Sequence, residues 1–127
     1  MNISDGSALL AALCLWREAR NQSPQAQTGV WWVIQNRAKV KSIADVIVQP
    51  FQFSSFNAND PNYQAWPCSQ SDAWIFHQCL SIVRGFSDDP TDGATFYFSE
   101  PLVSPPAAWG NVQVTAKIDG LTFCKSS

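Results

Sequence analysis

The sequence is poor in charge. Only 14% of its 127 residues are Asp, Glu, Lys or Arg, and the formal net charge is −2. A chain so balanced gives no electrostatic case for nucleic acid or for an anionic membrane surface. Low charge together with 46% hydrophobic residues also excludes intrinsic disorder, which needs the opposite mixture. No apolar run is long enough to span a bilayer, so membrane insertion is not expected. No basic stretch precedes an apolar segment at the N-terminus, so no secretion signal is seen.

Histidine occurs once, as His77. It falls inside a helical pattern two residues before Cys79, and residues two apart on a helix do not face each other. A Cys–His peptidase would have to recruit Cys14, Cys68 or Cys124 across the fold, so His77 reads as an ordinary helix residue. The four cysteines show no C-x-x-C spacing and no partner histidines, which argues against zinc. Cys14 and Cys124 read as small buried hydrophobes. Cys68 and Cys79 flank a helix start and could pair in an oxidising setting or stay free. Asp88, Asp89 and Asp92 lack the spacing and bidentate glutamate of a calcium loop and read as a solvated turn. No glycine-rich phosphate cradle is present. Nothing calls for a metal or a cofactor.

Glutamate is the most telling scarcity. There are two, Glu18 and Glu100. Glu18 stands in Leu13-Cys14-Leu15-Trp16-Arg17-Glu18-Ala19-Arg20, a run otherwise suited to burial. A carboxylate taken out of water resists ionising, and its pKa would rise toward the range where it donates a proton at neutral pH. Arg17 and Arg20 would pull in the other direction, and the triplet also suits a helix-surface ion pair. The apolar setting favours Glu18 as a general acid/base. Six Trp and eight Phe are many for this length. Some must be core, and Trp also stacks on the apolar faces of sugar rings, so a carbohydrate cleft is compatible.

Residues 1–127 are expected to form a single domain, long enough for a real core. Ser4, Asp5 and Ser7 offer N-cap oxygens for a first helix. Leu9, Leu13 and Trp16, with Leu10 and Ala12, predict its core face. Glu18 falls with Ala11 and Cys14 on the side away from Leu9, a flank of small residues that leaves room for a ligand. Ser23 and Pro24 suit the start of a second helix to about Arg37, burying Val30, Val33, Ile34 and one or both of Trp31 and Trp32. Ser42-Ile43-Ala44-Asp45 opens a short third helix that Pro50 ends. Gln49 to Pro67 is a long connection of aromatics, amides and hydroxyls. Its Phe51, Phe53 and Phe56 would anchor it, while Gln52 and Ser54 would face a cleft. Ser69 or Ser71 caps a fourth helix through Trp74, Ile75, Cys79, Ile82 and Val83, with Gly85 as its stop. Ala94 to Phe98 is β-prone. Asn111 to Ile118 alternates, Asp119-Gly120 signals a hairpin, and Leu121 to Cys124 returns. The class is α+β, mainly helical with a small antiparallel β element.

An ordered set of motifs narrows this further: Glu18-Ala19-Arg20, Gln27 leading to Asn36-Arg37, and Gln49-Pro50-x-Gln52-Phe53-Ser54. Gly85, Asp89-Pro90-Thr91-x-Gly93-Ala94-Thr95-Phe96-Tyr97-Phe98 and Trp109 follow. The set resembles the cell-wall hydrolase family of spore-cortex lytic enzymes and related phage endolysins, from about Leu9 to Phe123. The resemblance implies a lysozyme-like fold acting on peptidoglycan glycan strands, as a monomer and without cofactor. It implies cleavage of the β-1,4 bond between N-acetylmuramic acid and N-acetylglucosamine by lytic transglycosylation, which needs one acid and no second carboxylate. The family's catalytic glutamate falls on Glu18. Gln52, Phe53, Ser54, Tyr97 and Trp109 become substrate-binding candidates.

There are departures. The family often has Gly-Glu after Glu-Ala-Arg, where this chain has Asn21-Gln22, which removes a second carboxylate there. It commonly carries a His before an aromatic near the C-terminus, where this chain has Leu121-Thr122 before Phe123. Two alternatives stand beside transglycosylation. One is a hydrolytic muramidase using Asp60, Asp89, Asp92 or Glu100 as base. The other is a glycan-binding module without catalysis. With no leader seen, the expected setting is the cell wall, reached as a phage lysin released from the host cytoplasm or as a domain excised from an exported protein.

Overall fold

Serine caps set the helix starts. The Ser4 hydroxyl accepts from the Ser7 N–H and opens α1, Asp5–Ala19. Ser23 accepts from the Ala26 N–H and opens α2, Pro24–Arg37, with Pro24 in the first turn, where its missing N–H costs nothing. Ser42 caps α3, Ile43–Val48. Ser69 and Asp72 form a reciprocal capping box at α4, Gln70–Arg84. Each satisfies N–H groups that a bare helix end would leave open. The computed structural model describes residues 3–39, 41–48 and 65–127.

Three strands follow: β1 Phe96–Ser99, β2 Val112–Ile118 and β3 Leu121–Ser126. They form an antiparallel sheet in the order β1-β3-β2, with a 3-10 turn at Ala107–Trp109 between β1 and β2. The β2–β3 hairpin closes on Asp119-Gly120, with Asp119 at φ 52°. An irregularity between Val114 and Ala116 shifts the β2 register, so Cys124 faces Val114 and Phe123 faces Ala116. β3 is central, and its Leu121, Phe123 and Cys124 are buried.

The helices pack around α1, and the core runs from Ala8 through α2, α3 and α4 to Phe123. The buried side of α1 is Ala8, Ala11, Ala12, Cys14, Leu15, Trp16 and Ala19, whereas Leu9 is 50% exposed. The expected face holds at Ala12 and Trp16, is partly buried at Leu10 and Leu13, and fails at Leu9. α1 is apolar almost all round, so periodicity could not choose a side. Packing chose the small residues, which let neighbouring helices approach closely. Leu9, Leu10 and Leu13 instead line an apolar groove with Trp66, Pro67 and Phe76. Trp74 is exposed on α4 beside His77. Cys68 is exposed, Cys79 lies in the core, and both are free thiols.

Where α2 crosses the sheet, a glycine is required. A Cβ on Gly29 would sit 2.4 Å from Cζ of Phe123, well inside van der Waals contact. That close approach seats β3 on α2, and β3 in turn carries β1.

Candidate active site

Glu18 lies in the last turn of α1 and is partly exposed. The cleft before it, ≈ 290 Å³, is lined by Arg17, Glu18, Ala19, Arg20, Asn21, Gln22, Tyr97, Ser99 and Leu121. That volume is at the low end of ligand pockets, roughly 300–1,000 Å³. The lining comes from the end of α1, the loop to α2, β1 and β3, elements brought together by the sheet docking on the helices.

β1 supplies the partner of the carboxylate. The Tyr97 hydroxyl donates to Oε1 of Glu18 at 2.6 Å. Burial, above all, raises the Tyr97 pKa well above the usual phenol value. The nearby Glu18 charge, Cys14 and the hydrogen bond itself add to this, and the Arg37 guanidinium only partly opposes it. The phenol therefore keeps its proton and acts as a donor across the neutral range. Its ring lies 6.1 Å from that of Phe123, directly across the ladder.

The flanking arginines make defined contacts. Arg17 is buried; its Nε donates to the Ala65 carbonyl at 3.0 Å and its guanidinium lies 4.7 Å from the centre of the Trp66 ring. Arg20 donates from Nη1 to the Arg17 carbonyl at 3.2 Å and covers the Trp16 ring at 4.6 Å. Each cation is spread over an aromatic face, so the run around Glu18 is built into the fold.

The loop after α1 is fixed from both sides. Gln27, buried on α2, donates from Nε2 to the carbonyls of Ala19 (3.0 Å) and Gln22 (3.3 Å). The Gln22 side chain reaches the hairpin, where its Oε1 accepts from the Gly120 N–H at 3.3 Å. Next to it, the Ser23 hydroxyl bonds the Asp119 carboxylate.

A second network holds β1 in place. Asp89 Oδ1 accepts from the Thr91 N–H (2.8 Å) and hydroxyl (2.6 Å), and Oδ2 accepts from the Gly93 N–H (3.0 Å) and from Asn36 Nδ2 (3.0 Å). Asn36 Nδ2 also donates to the Ala94 carbonyl at 2.9 Å. Partial burial alone would raise the Asp89 pKa, but the bonds from Thr91, Asn36 and Gly93 outweigh it and hold the carboxyl below its ordinary value. The turn expected to be merely solvated is thus a latch between α2 and the strand that carries Tyr97.

Of the sequence-predicted site residues, Glu18 and Tyr97 meet. Trp109 does not line the cleft. It packs on Phe96 at 5.0 Å and Phe98 at 6.3 Å. Strand alternation puts those two rings on the face of β1 opposite Tyr97 and Ser99. Gln52, Phe53 and Ser54 lie outside the described residues, as does Asp60. Asp89, Asp92 and Glu100 are not among the lining residues. Sequence reasoning missed Ser99, for which strand alternation from Tyr97 was the available signal. Among the described residues no cluster of His, Cys, Asp or Glu could hold a metal, and no helix is long and apolar enough to cross a membrane.

A family model described as Cell Wall Hydrolase matches residues 21–124, so the match begins just after Glu18. The spore cortex-lytic enzyme of Bacillus subtilis (strain 168) is 27% identical over 126 residues, which is 96% of this chain and 38% of that protein. The chain thus spans well under half the length of that relative. Two solved structures superpose with a TM-score of 0.70. The catalytic domain of the Bacillus cereus SleB protein is 24% identical, with 98% of this chain and 93% of that one covered. The catalytic domain of the germination-specific lytic transglycosylase SleB from Bacillus anthracis is 23% identical, with 98% of each covered. The fold is the lysozyme-like α+β fold of those domains.

Proposed function

The chain belongs to the cell wall hydrolase family, and from that membership we propose that it cleaves peptidoglycan glycan strands by lytic transglycosylation, with Glu18 as its general acid/base. The described residues act as one peptidoglycan-cleaving domain, working on the cell wall as a monomer. The bond cut is the β-1,4 linkage between N-acetylmuramic acid and N-acetylglucosamine. The observation that carries this is the make-up of the cleft. Its described lining holds one carboxylate, pinned by a phenol, and otherwise amides, a hydroxyl, cations and apolar groups.

In the first half of the reaction Glu18 gives its proton to the bridging oxygen as the C1–O bond of the muramoyl residue breaks. The charge that develops on the carboxylate is met by the Tyr97 O–H, a charge-assisted hydrogen bond that strengthens as the proton leaves. In the second half the 6-hydroxyl of the same sugar attacks C1 and gives its proton back to Glu18. A 1,6-anhydro ring forms, and no water is consumed. One group thus serves as acid and then base, and the usual pair of carboxylates is not needed.

The test is mass spectrometry of muropeptides from purified sacculi, run beside Glu18→Gln. Wild type should give anhydro-ended products. The variant should fold and bind but lose about 10²–10⁴-fold in rate, the usual weight of general acid/base catalysis. Reducing-end products would make the protein a hydrolytic muramidase. Co-sedimentation without clearing of sacculi would make it a binding module.

A further inference from the structure

We infer that Trp66 is a sugar-stacking platform beside the Glu18 cleft, over which a peptidoglycan strand passes from the bond being cut into the apolar groove along α1. This rests on the glycan-strand reading of the cleft and adds to it the path of the sugars beyond the cut.

Arg17 joins the two places. It lines the Glu18 cleft, and its guanidinium lies 4.7 Å from the centre of the Trp66 ring. Trp66 in turn lines the groove with Leu9, Leu10, Leu13 and Phe76. Leu10, Leu13 and Arg17 follow one another at helical spacing, so they form one stripe on α1, along about 10 Å of its length. The groove is therefore continuous with the wall of the cleft, and a polymer held at Glu18 has a path along that wall.

The indole is fixed and yet open. Arg17 is 5% exposed, and its Nε donates to the Ala65 carbonyl at 3.0 Å, which holds the backbone just before Trp66. The same guanidinium lies against the ring. Trp66 nevertheless remains 56% exposed. A large aromatic that is ordered in advance and left uncovered loses little freedom when a ligand settles on it. A pyranose suits such a surface. Its C–H bonds meet the electron-rich face of the indole while its hydroxyls stay in water. The groove beyond, ≈ 340 Å³ and lined by apolar side chains, has no group to bond a hydroxyl. It suits the acetamido and lactyl methyl groups that recur along a peptidoglycan strand.

The experiment measures binding and turnover of glycan strands of graded length, from a tetrasaccharide to long strands, prepared from sacculi. Affinity is read by calorimetry in a Glu18→Gln background, which keeps the strands whole, and KM and kcat are read in the active protein. Trp66→Ala should weaken binding of long strands about tenfold, the loss that follows truncation of an aromatic anchor. KM for long strands should rise in proportion with kcat unchanged, and the tetrasaccharide should be bound as before. Trp66→Tyr, which keeps a flat ring, should retain most of the affinity. Trp74→Ala removes another exposed indole, one that lines neither the cleft nor the groove, and should change nothing. If Trp66→Ala does not fold, as judged by its melting curve, Trp66→Leu decides in its place, with the same tenfold loss expected. Long strands bound as tightly by the variant as by its parent overturn the inference and leave transglycosylation intact. Equal losses on short and long strands, or a fall in kcat, also overturn it, because the indole would then only brace Arg17. So does sedimentation showing a dimer that Trp66→Ala dissociates, which would give the groove to a second copy. Long strands bound through Trp66 but never cut by wild type would uphold the platform and overturn the transglycosylase reading alone.

Discussion

The Tyr97 phenol donates to Oε1 of Glu18 at 2.6 Å from 79 positions further along the chain. Tyr97→Phe removes that donor and keeps the ring packed near Phe123. A hydrogen bond to a charged group is worth roughly 1.5–3 kcal/mol, so turnover should fall about 10–100-fold. Stability should change little. Initial rates of sacculus clearing and a melting curve check both. A loss of stability matching the loss of rate would make Tyr97 a packing residue only.

Asp89 gives the fold an acid-sensitive latch. Its folded pKa lies below its ordinary value of 3.8 because Thr91, Asn36 and Gly93 bond the ionised form. A depressed carboxyl pKa stabilises the fold above the unfolded value, and that stabilisation is lost as pH falls through the folded value. Asp89→Asn should destabilise at neutral pH by about 1 kcal/mol, at the low end for such bonds because solvent screens the group. It should also flatten the acid limb of stability. Urea denaturation from pH 7 down to pH 2 measures both effects.

Gly29→Ala tests the contact between α2 and the sheet. The new Cβ would fall 2.4 Å from Phe123 Cζ, and Phe123 is fully buried. Overpacking of this kind costs about 1–3 kcal/mol. Because Phe123 stands across the ladder from Tyr97, the rate of clearing should fall as well. A variant as stable and active as wild type would show that the ring can step aside.

The thiols should differ sharply in reactivity. Burial pushes the Cys79 thiol up to about 12, and burial likewise raises Cys14 and Cys124. Cys68 is exposed. Alkylation of the native protein, counted by mass, should modify Cys68 alone, and all four cysteines should react in denaturant. Added reductant should leave the melting temperature unchanged.

The helix starts were legible because Ser4, Ser23, Ser42 and Ser69 cap by local chemistry, and the hairpin because Asp119-Gly120 turns by local chemistry. Glu18 stood out through the scarcity of glutamate and the run around it, and Tyr97 through its motif. The buried face of α1 was only partly legible: Ala12 and Trp16 are buried as expected, but a helix apolar on nearly every side leaves the fate of Leu9 to its neighbours. Asp89 was misjudged for a related reason: four donors converge on it, and Asn36 comes from 53 positions away. Trp109 was assigned to the cleft by resemblance, and the pleat of β1 sent its partners Phe96 and Phe98 to the other face. Asn21, Gln22 and Leu121, noted as departures from the family pattern, all line the cleft, so the differences gather where they bear on chemistry.

The hairpin's grip on the loop after α1 has a consequence for the protein's own synthesis. Glu18 is synthesised well before Tyr97, Gly120 and Leu121, which complete its surroundings. A nascent chain therefore carries Glu18 without the phenol and the hairpin that enclose it. That setting is complete only when β3 slides into place between β1 and β2.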